Sequence, residues 1–185
     1  MNQGRIIVIT GAPGTGKTTT ASAVAKESDL EKSVHMHTDD FYHYLSKGAI
    51  PPHLPESNEQ NLIVIEAFLE AAKRYARGGY DVIVDGIVGP WFLTPWKEAV
   101  QEGYEIHYII LRADKEETIR RAIERTKLSK DTNIELVETM WKQFVNIGDY
   151  EPFVINTTDC SIEKTISIIK EHIKERKHLL YSDTD

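Results

Sequence analysis

The sequence predicts an α/β fold, a parallel sheet covered by helices on both faces, and three observations carry that prediction. Continuous apolar, β-branched runs such as Ile6-Ile7-Val8-Ile9 and Val82-Ile83-Val84 are of the kind found in strands buried on both sides. Strand-like runs alternate with helix-like ones along the chain, and that order requires crossover connections between parallel strands. Polar residues of chemical interest stand where each strand-like run ends. A glycine-rich loop follows the first, Asp39 the second, Asp85 the third, Arg112 the fourth and Asn156-Thr157-Thr158 the fifth. Ligands of open parallel sheets bind at the carboxyl ends of the strands.

Taken in order, residues 6–9 form the first strand, and residues 18–26, Ala-rich and free of Gly and Pro, form a helix. Residues 33–38 form the second strand, followed by a short helix to Leu45. Residues 47–55 carry Gly48 and three prolines and are irregular. Ser57-Asn58-Glu59-Gln60 reads as a capping box that opens a long helix, with Leu62, Ile65, Leu69, Ala72 and Ala76 at helical spacing and a stop at Gly78-Gly79. Residues 81–85 are the third strand. A loop with Trp91 and Phe92 follows, and Thr94-Pro95 reads as the N-cap and first turn of a helix to Glu102. Residues 105–111 are the fourth strand, and Asp114 with Glu117 caps a helix through Arg125. Residues 126–131 are polar; Thr132 with Glu135 opens a helix to about Asn146. Residues 152–156 form the fifth strand. Ile162, Ile166, Ile169 and Ile173 mark a closing amphipathic helix, and the tail after His178 is expected to fray.

A chain of 185 residues fits one domain, residues 1–185, with a sizeable core. A net charge of −7 argues against a nucleic-acid partner, whose binding needs clustered Lys and Arg. The single cysteine, Cys160, can form no internal disulfide, no apolar run has the length of a membrane span, and the first residues lack a signal pattern. The expectation is a cytoplasmic protein with no membrane partner. Its oligomeric state is left open.

Gly11-Ala12-Pro13-Gly14-Thr15-Gly16-Lys17-Thr18 fits G-x-x-x-x-G-K-[ST], set between a strand and a helix. Such a loop turns backbone N–H groups toward phosphate oxygens and places a helix N-terminus behind them. Lys17 is expected at the β- and γ-phosphates and the Thr18 hydroxyl on Mg²⁺. With Thr19, these residues form the predicted ATP-binding set.

Asp39 is the candidate catalytic base, placed to take the proton of an attacking hydroxyl; the structural alternative is a helix N-cap. Asp85, ending an apolar run, is laid out to hold Mg²⁺ with Thr18, to orient a substrate hydroxyl, or to end a turn before Gly86. Arg120, Arg121, Arg125, Lys127 and Lys130 form a basic stretch in an acidic chain. Arg121 and Arg125 share a helix face, which suits a lid over residues 120–135 that screens transferred charge, or a solvated face paired with Glu116, Glu117 and Glu124. Residues 48–61 with Trp91 and Phe92 are the candidate acceptor pocket, or surface packing. His35 and His37 share a strand face. Zinc would require a third and fourth ligand in known geometry, and no cysteine supports it, so packing or hydrogen bonding near the sheet is expected.

The glycine loop, Thr38-Asp39-Asp40-Phe41-Tyr42 and Val84-Asp85-Gly86-Ile87 resemble the small-molecule kinases of the P-loop nucleoside-monophosphate-kinase-like superfamily. The second segment is similar to the D-x-F-Y of uridine kinases and the D-G-F of pantothenate kinases. The third resembles their E-G-I with Asp85 in place of glutamate. Leu111-Arg112-Ala113-Asp114 through Arg125 looks more like chloramphenicol-phosphotransferase, zeta-toxin-like and gluconate kinases. The resemblance implies a three-layer P-loop fold with a parallel five-stranded sheet and a helical lid, and ATP with Mg²⁺ as cofactors. It implies Arg121 and Arg125 beside adenine and phosphates, and Thr157 in the adenine-side loop. The expected activity is transfer of the γ-phosphoryl group to a hydroxyl of a small molecule: a sugar acid such as gluconate, a nucleoside or an antibiotic. The alternatives are a nucleotide-dependent ATPase or switch, or a toxin-type nucleotide-sugar kinase. A GTPase would need a guanine-specific Asn-Lys-x-Asp segment, which the sequence lacks.

Overall fold

The computed structural model describes residues 3–126 and 134–181, without the side chains of residues 125 and 126. Five strands, β1 (Ile6–Thr10), β2 (Ser33–His37), β3 (Asp81–Asp85), β4 (Ile106–Arg112) and β5 (Val154–Asn156), form one sheet in the order β2-β3-β1-β4-β5. Every pairing is parallel. The helices are α1 (Lys17–Lys26), α2 (Thr38–His43), α3 (Asn58–Arg77), α4 (Thr94–Gln101), α5 (Lys115–Thr126), α6 (Ile134–Gln143) and α7 (Ile162–Lys174).

Alternation along β1 builds two cores from one strand. Ile6 and Val8 point to the side where Val82, Val84, Tyr108 and Ile110 meet Phe68 of α3 and Trp96 of α4. Ile7 and Ile9 point to the other, where Ile83, Ile109 and Leu111 meet Ala21 and Val24 of α1 and Ile169 and Ile173 of α7. This explains the unbroken apolar runs: both faces of each central strand are covered, and each helix contributes one apolar stripe.

Local chemistry differs from the sequence expectation at three places. Ser57 does not cap α3 with its side chain; it sits in a 3-10 turn, Pro55–Ser57, and its hydroxyl donates to the carbonyls of Pro52 (2.9 Å) and Leu54 (2.7 Å). Among the described residues Pro52 O has no strand or helix partner and Leu54 O opens the 3-10 turn, so the Ser57 hydroxyl is drawn to these nearby carbonyls rather than to the helix end. Thr94 likewise makes no side-chain cap and lies within α4 itself. Between His178 and Tyr181 the described part of the tail does not fray. The His178 carbonyl accepts from Tyr108 N, Leu180 N donates to Ile106 O, and Leu180 is buried. β5 pairs only with Ile110 to Arg112, so the lower edge of β4 is open and the tail satisfies it.

Other boundaries follow the expected chemistry. Asp114 Oδ1 accepts from Glu117 N at 2.8 Å ahead of α5, and Gly78 ends α3. Residues 127–133, which include Lys127, Lys130, the Thr132 cap and much of the expected lid, lie outside the described residues, as does the Arg125 side chain.

Candidate active site at the carboxyl edge of the sheet

The loop between β1 and α1 wraps over the carboxyl end of the sheet. Gly14 adopts φ +85°, and a Cβ there would stand 2.6 Å from the Thr118 carbonyl of α5. A side chain is therefore excluded twice, by backbone conformation and by the helix packed on the loop. Thr15 Oγ1 and Lys17 Nζ both donate to Ala12 O, at 2.8 and 2.9 Å. Thr18 stands in the first turn of α1, with the exposed Thr19 beside it.

Asp85 ends β3 on the face shared with Ile83, toward α1. Three other side chains meet it. Thr18 Oγ1 donates to its Oδ2 at 2.5 Å, while His35 Nε2 and His37 Nδ1 lie 2.9 and 2.6 Å from its Oδ1. Burial pushes this carboxyl up, but the hydrogen bonds from His35 and Thr18, with the charge of His37, outweigh it and hold the group below the usual carboxylate range. The expected Thr18 and Asp85 pair therefore stands together, and its two oxygen donors suit Mg²⁺. The histidines bond beside the sheet as expected. The local sequence did not reveal that both reach the same carboxylate: His37 is the direct cross-strand partner of Asp85, and His35 precedes it on the same face.

Asp39 follows β2 in the first turn of α2, exposed, and lines a cavity of about 680 Å³ with Tyr42, His43, Asn61, Ile87, Trp91, Phe92 and Met140. Asp40 is not among the lining residues. Burial and then the Asp39 charge push the Tyr42 phenol up to about 12, so it stays a neutral hydroxyl. Gly86 keeps the floor tight: a Cβ there would meet Thr38 Oγ1 at 1.8 Å. The candidate acceptor segment 48–61 joins this cavity through Pro52, His53, Leu54, Pro55, Asn58 and Asn61. Asn61 Nδ2 donates to Pro52 O and Ser57 Oγ, both at 2.8 Å, which leaves its buried carbonyl oxygen without a partner. Ser57 and Asn61, inside the candidate acceptor segment but not singled out within it, thus fasten that segment to α3. Gln60 adds two bonds to the backbone of Ile50, each 2.8 Å. The signal in the sequence was a polar run beside repeated prolines, which reads equally well as a helix cap.

Arg121 turns toward the loop after β5. Its guanidinium donates to the carbonyls of Thr157 (2.8 Å) and Thr158 (3.2 Å) and to Glu117 (2.6 Å), so it braces this loop against α5. Thr157 is buried there, with its hydroxyl 3.4 Å from Arg121. Arg120 and Arg121 together hold the Glu117 carboxyl down at about 2. Arg112 is paired in a fork with Glu151, at 3.0 and 2.8 Å. With Asp114, Trp141, Asn156 and Thr158 it lines a second cavity of about 570 Å³.

Among the described residues, no helix is long and apolar enough to cross a membrane. No curated protein matches the chain. Solved structures share its fold. They include a tunicamycin resistance protein from Deinococcus radiodurans, 19% identical with a TM-score of 0.63, covering 92% of this chain and 96% of that one. The APS kinase of Mycobacterium tuberculosis in complex with AMPPNP and APS is 16% identical with a TM-score of 0.67, covering 94% and 99%. A gluconokinase from Sinorhizobium meliloti 1021 is 16% identical with a TM-score of 0.62, covering 96% and 100%. The sequence model described as "AAA domain" matches residues 7–141. With the glycine loop, the Thr18–Asp85 pair and the β2-β3-β1-β4-β5 sheet, this match makes the chain a member of the AAA domain family, built on the P-loop, nucleoside-monophosphate-kinase-like fold.

Proposed function

We propose that this protein transfers the γ-phosphoryl group of ATP to a hydroxyl of a small, uncharged, ring-bearing acceptor. The observation that carries the proposal is the cavity at the carboxyl ends of β2 and β3, lined by a carboxylate, aromatic rings and a neutral phenol. In this reading Asp39 accepts the proton as the acceptor oxygen bonds to phosphorus and the bond to ADP breaks. Lys17 and Arg125 counter charge on the transferred oxygens, and Arg121 keeps the Thr157 loop in place beside the base. Thr18 and Asp85 would hold the divalent cation, taken first as Mg²⁺, which when bound neutralises phosphate charge.

The lining favours a neutral acceptor over a sugar acid. Among the described residues around the cavity there is no lysine or arginine, while Asp39 is acidic. An anionic acceptor would meet that carboxylate with only the imidazoles of His43 and His53, among the described lining residues, to offset it. Trp91, Phe92, Leu54 and Ile65 offer apolar surface for a ring, and the unpaired Asn61 carbonyl oxygen suits a donor on the acceptor.

The test is ADP release from ATP by the purified protein, with product mass, across nucleosides, tunicamycin, chloramphenicol-type alcohols and gluconate. A neutral ring compound that raises the rate and gains one phosphoryl group is the expected result. Stimulation by gluconate alone overturns the neutral-acceptor assignment. Slow hydrolysis that no acceptor changes favours the switch alternative over the kinase.

A further inference from the structure

We propose that His35, His37 and Asp85 form a binding site for a divalent first-row transition ion of the Zn²⁺, Co²⁺ or Fe²⁺ class. Among the described residues, these three offer one donor atom each, Nε2, Nδ1 and a carboxylate oxygen, all within 4.8 Å of one another. Two imidazoles with one carboxylate and positions left open is a donor set used for such ions, whereas Mg²⁺ takes oxygen ligands almost throughout.

Strand register builds the set. His35 and His37 are two apart and share a face of β2, and parallel pairing sets His37 opposite Asp85 on β3. The two rings stand with centroids 4.3 Å apart and planes inclined by 52°, so their nitrogens converge on one carboxylate oxygen rather than stacking. The other carboxylate oxygen is held by the Thr18 hydroxyl at 2.5 Å, the type of outer support that fixes a ligating carboxylate. Exposure grades across the set: the Asp85 side chain is 3% exposed, His35 17% and His37 37%. The carboxylate is therefore buried and held, and His37 reaches solvent. A carboxylate oxygen can accept two hydrogen bonds, so the apo contacts need no ion; what points to a cation is that three donor atoms of the right kinds converge on one spot.

The site shares Asp85 and Thr18 with the proposed phosphoryl-transfer centre. Binding is measured without nucleotide or acceptor, so a failure here and a failure of the kinase reading are separate results. Untagged, nucleotide-free protein is titrated with Co²⁺, read by its visible absorption, and then with competing Zn²⁺ and excess Mg²⁺. One equivalent of Co²⁺ with intense low-symmetry bands, displaced by Zn²⁺ and not by Mg²⁺, is the expected result. His35→Gln and His37→Gln should each weaken binding about 100-fold or more, since loss of a mere supporting residue costs about 10–100-fold. His37, the more exposed of the two, decides the matter if the His35 variant does not fold. Unchanged Co²⁺ binding in the folded His37 variant overturns the proposal. So does binding that only Asp85→Asn abolishes, or displacement by Mg²⁺ as readily as by Zn²⁺.

Discussion

The two halves of the carboxyl edge are built in different ways. The half proposed for the nucleotide centres on one contiguous segment, residues 11–18 from the end of β1 into α1, with Gly14 at φ +85° under α5 and the Lys17 and Thr18 side chains at its end. The half proposed for the acceptor is made of side chains from α2, α3, α6, the proline-rich loop and the loop after β3. A phosphate group is the same in every nucleotide, so a contiguous backbone cradle serves it. An acceptor has its own shape and polarity, and distant segments can vary one by one to meet it. The contrast implies that changes in the two halves separate into effects on ATP binding and effects on the acceptor.

The largest effect is expected at Asp39. Asp39→Asn should lower phosphoryl transfer by roughly 10²–10⁴-fold, the usual contribution of a general base, with ATP affinity unchanged. Full transfer in this variant removes Asp39 from the mechanism, and an equal loss of ATP binding erases the division between the halves. Next is Gly14→Ala. Its left-handed backbone costs about 1–3 kcal/mol for a residue with a side chain, and its Cβ collides with the Thr118 carbonyl. Thermal unfolding should drop by several degrees and ATP affinity should fall; a variant as stable and as tight as the parent contradicts the packing of α5 on the loop.

Ser57→Ala is the sharper probe of the acceptor half. It removes the hydroxyl bonds to Pro52 and Leu54 and one partner of Asn61, at about 1–3 kcal/mol for buried groups left unpaired. The acceptor KM should rise while the ATP KM holds. A change in the ATP KM alone would show that the proline-rich loop serves the nucleotide instead. The smallest effect lies at the opposite edge of the sheet and serves as the control. Burial, then the neighbouring His172, His107 and Lys177, push His178 down to about 4, while an unfolded histidine titrates near 6.5. His178 Nε2 lies 2.7 Å from His172 Nδ1, and burial also lowers His172 and His107. The unfolded chain binds more protons than the folded one in this window, so stability falls as pH drops from about 6.5 toward 4. His178→Gln should flatten that slope by a few degrees of Tm without altering transfer at neutral pH. An unchanged slope shows that other groups dominate acid sensitivity.

Much of the nucleotide half is legible because its determinants are local. The glycine spacing, the apolar run before it and the Ala-rich helix after it each require only neighbours in sequence, and β3 runs over Asp81–Asp85 as read. Asp114 as a cap is legible for the same reason. The role of Ser57 is not legible in the sequence, because the same hydroxyl can serve a helix end or a loop carbonyl, and only the path of the proline-rich loop brings Pro52 and Leu54 within reach. The order of residues 178–181 is not legible either, because the open stretch of β4 beside them exists only once the sheet has formed.

By itself, then, the sequence determined the parallel α/β layering, the phosphate loop with Lys17 and Thr18, and acids at the ends of the second and third strands. Those follow from hydrophobic periodicity and backbone sterics, which act over a few residues. Tertiary structure alone decided that Asp39 rather than Asp40 lines the cavity, that Arg121 braces the Thr157 loop, and that His35 and His37 converge on Asp85. Each of these depends on register and helix packing between segments distant in the chain, and a one-residue slip of β2 against β3 would turn both imidazoles to the opposite face.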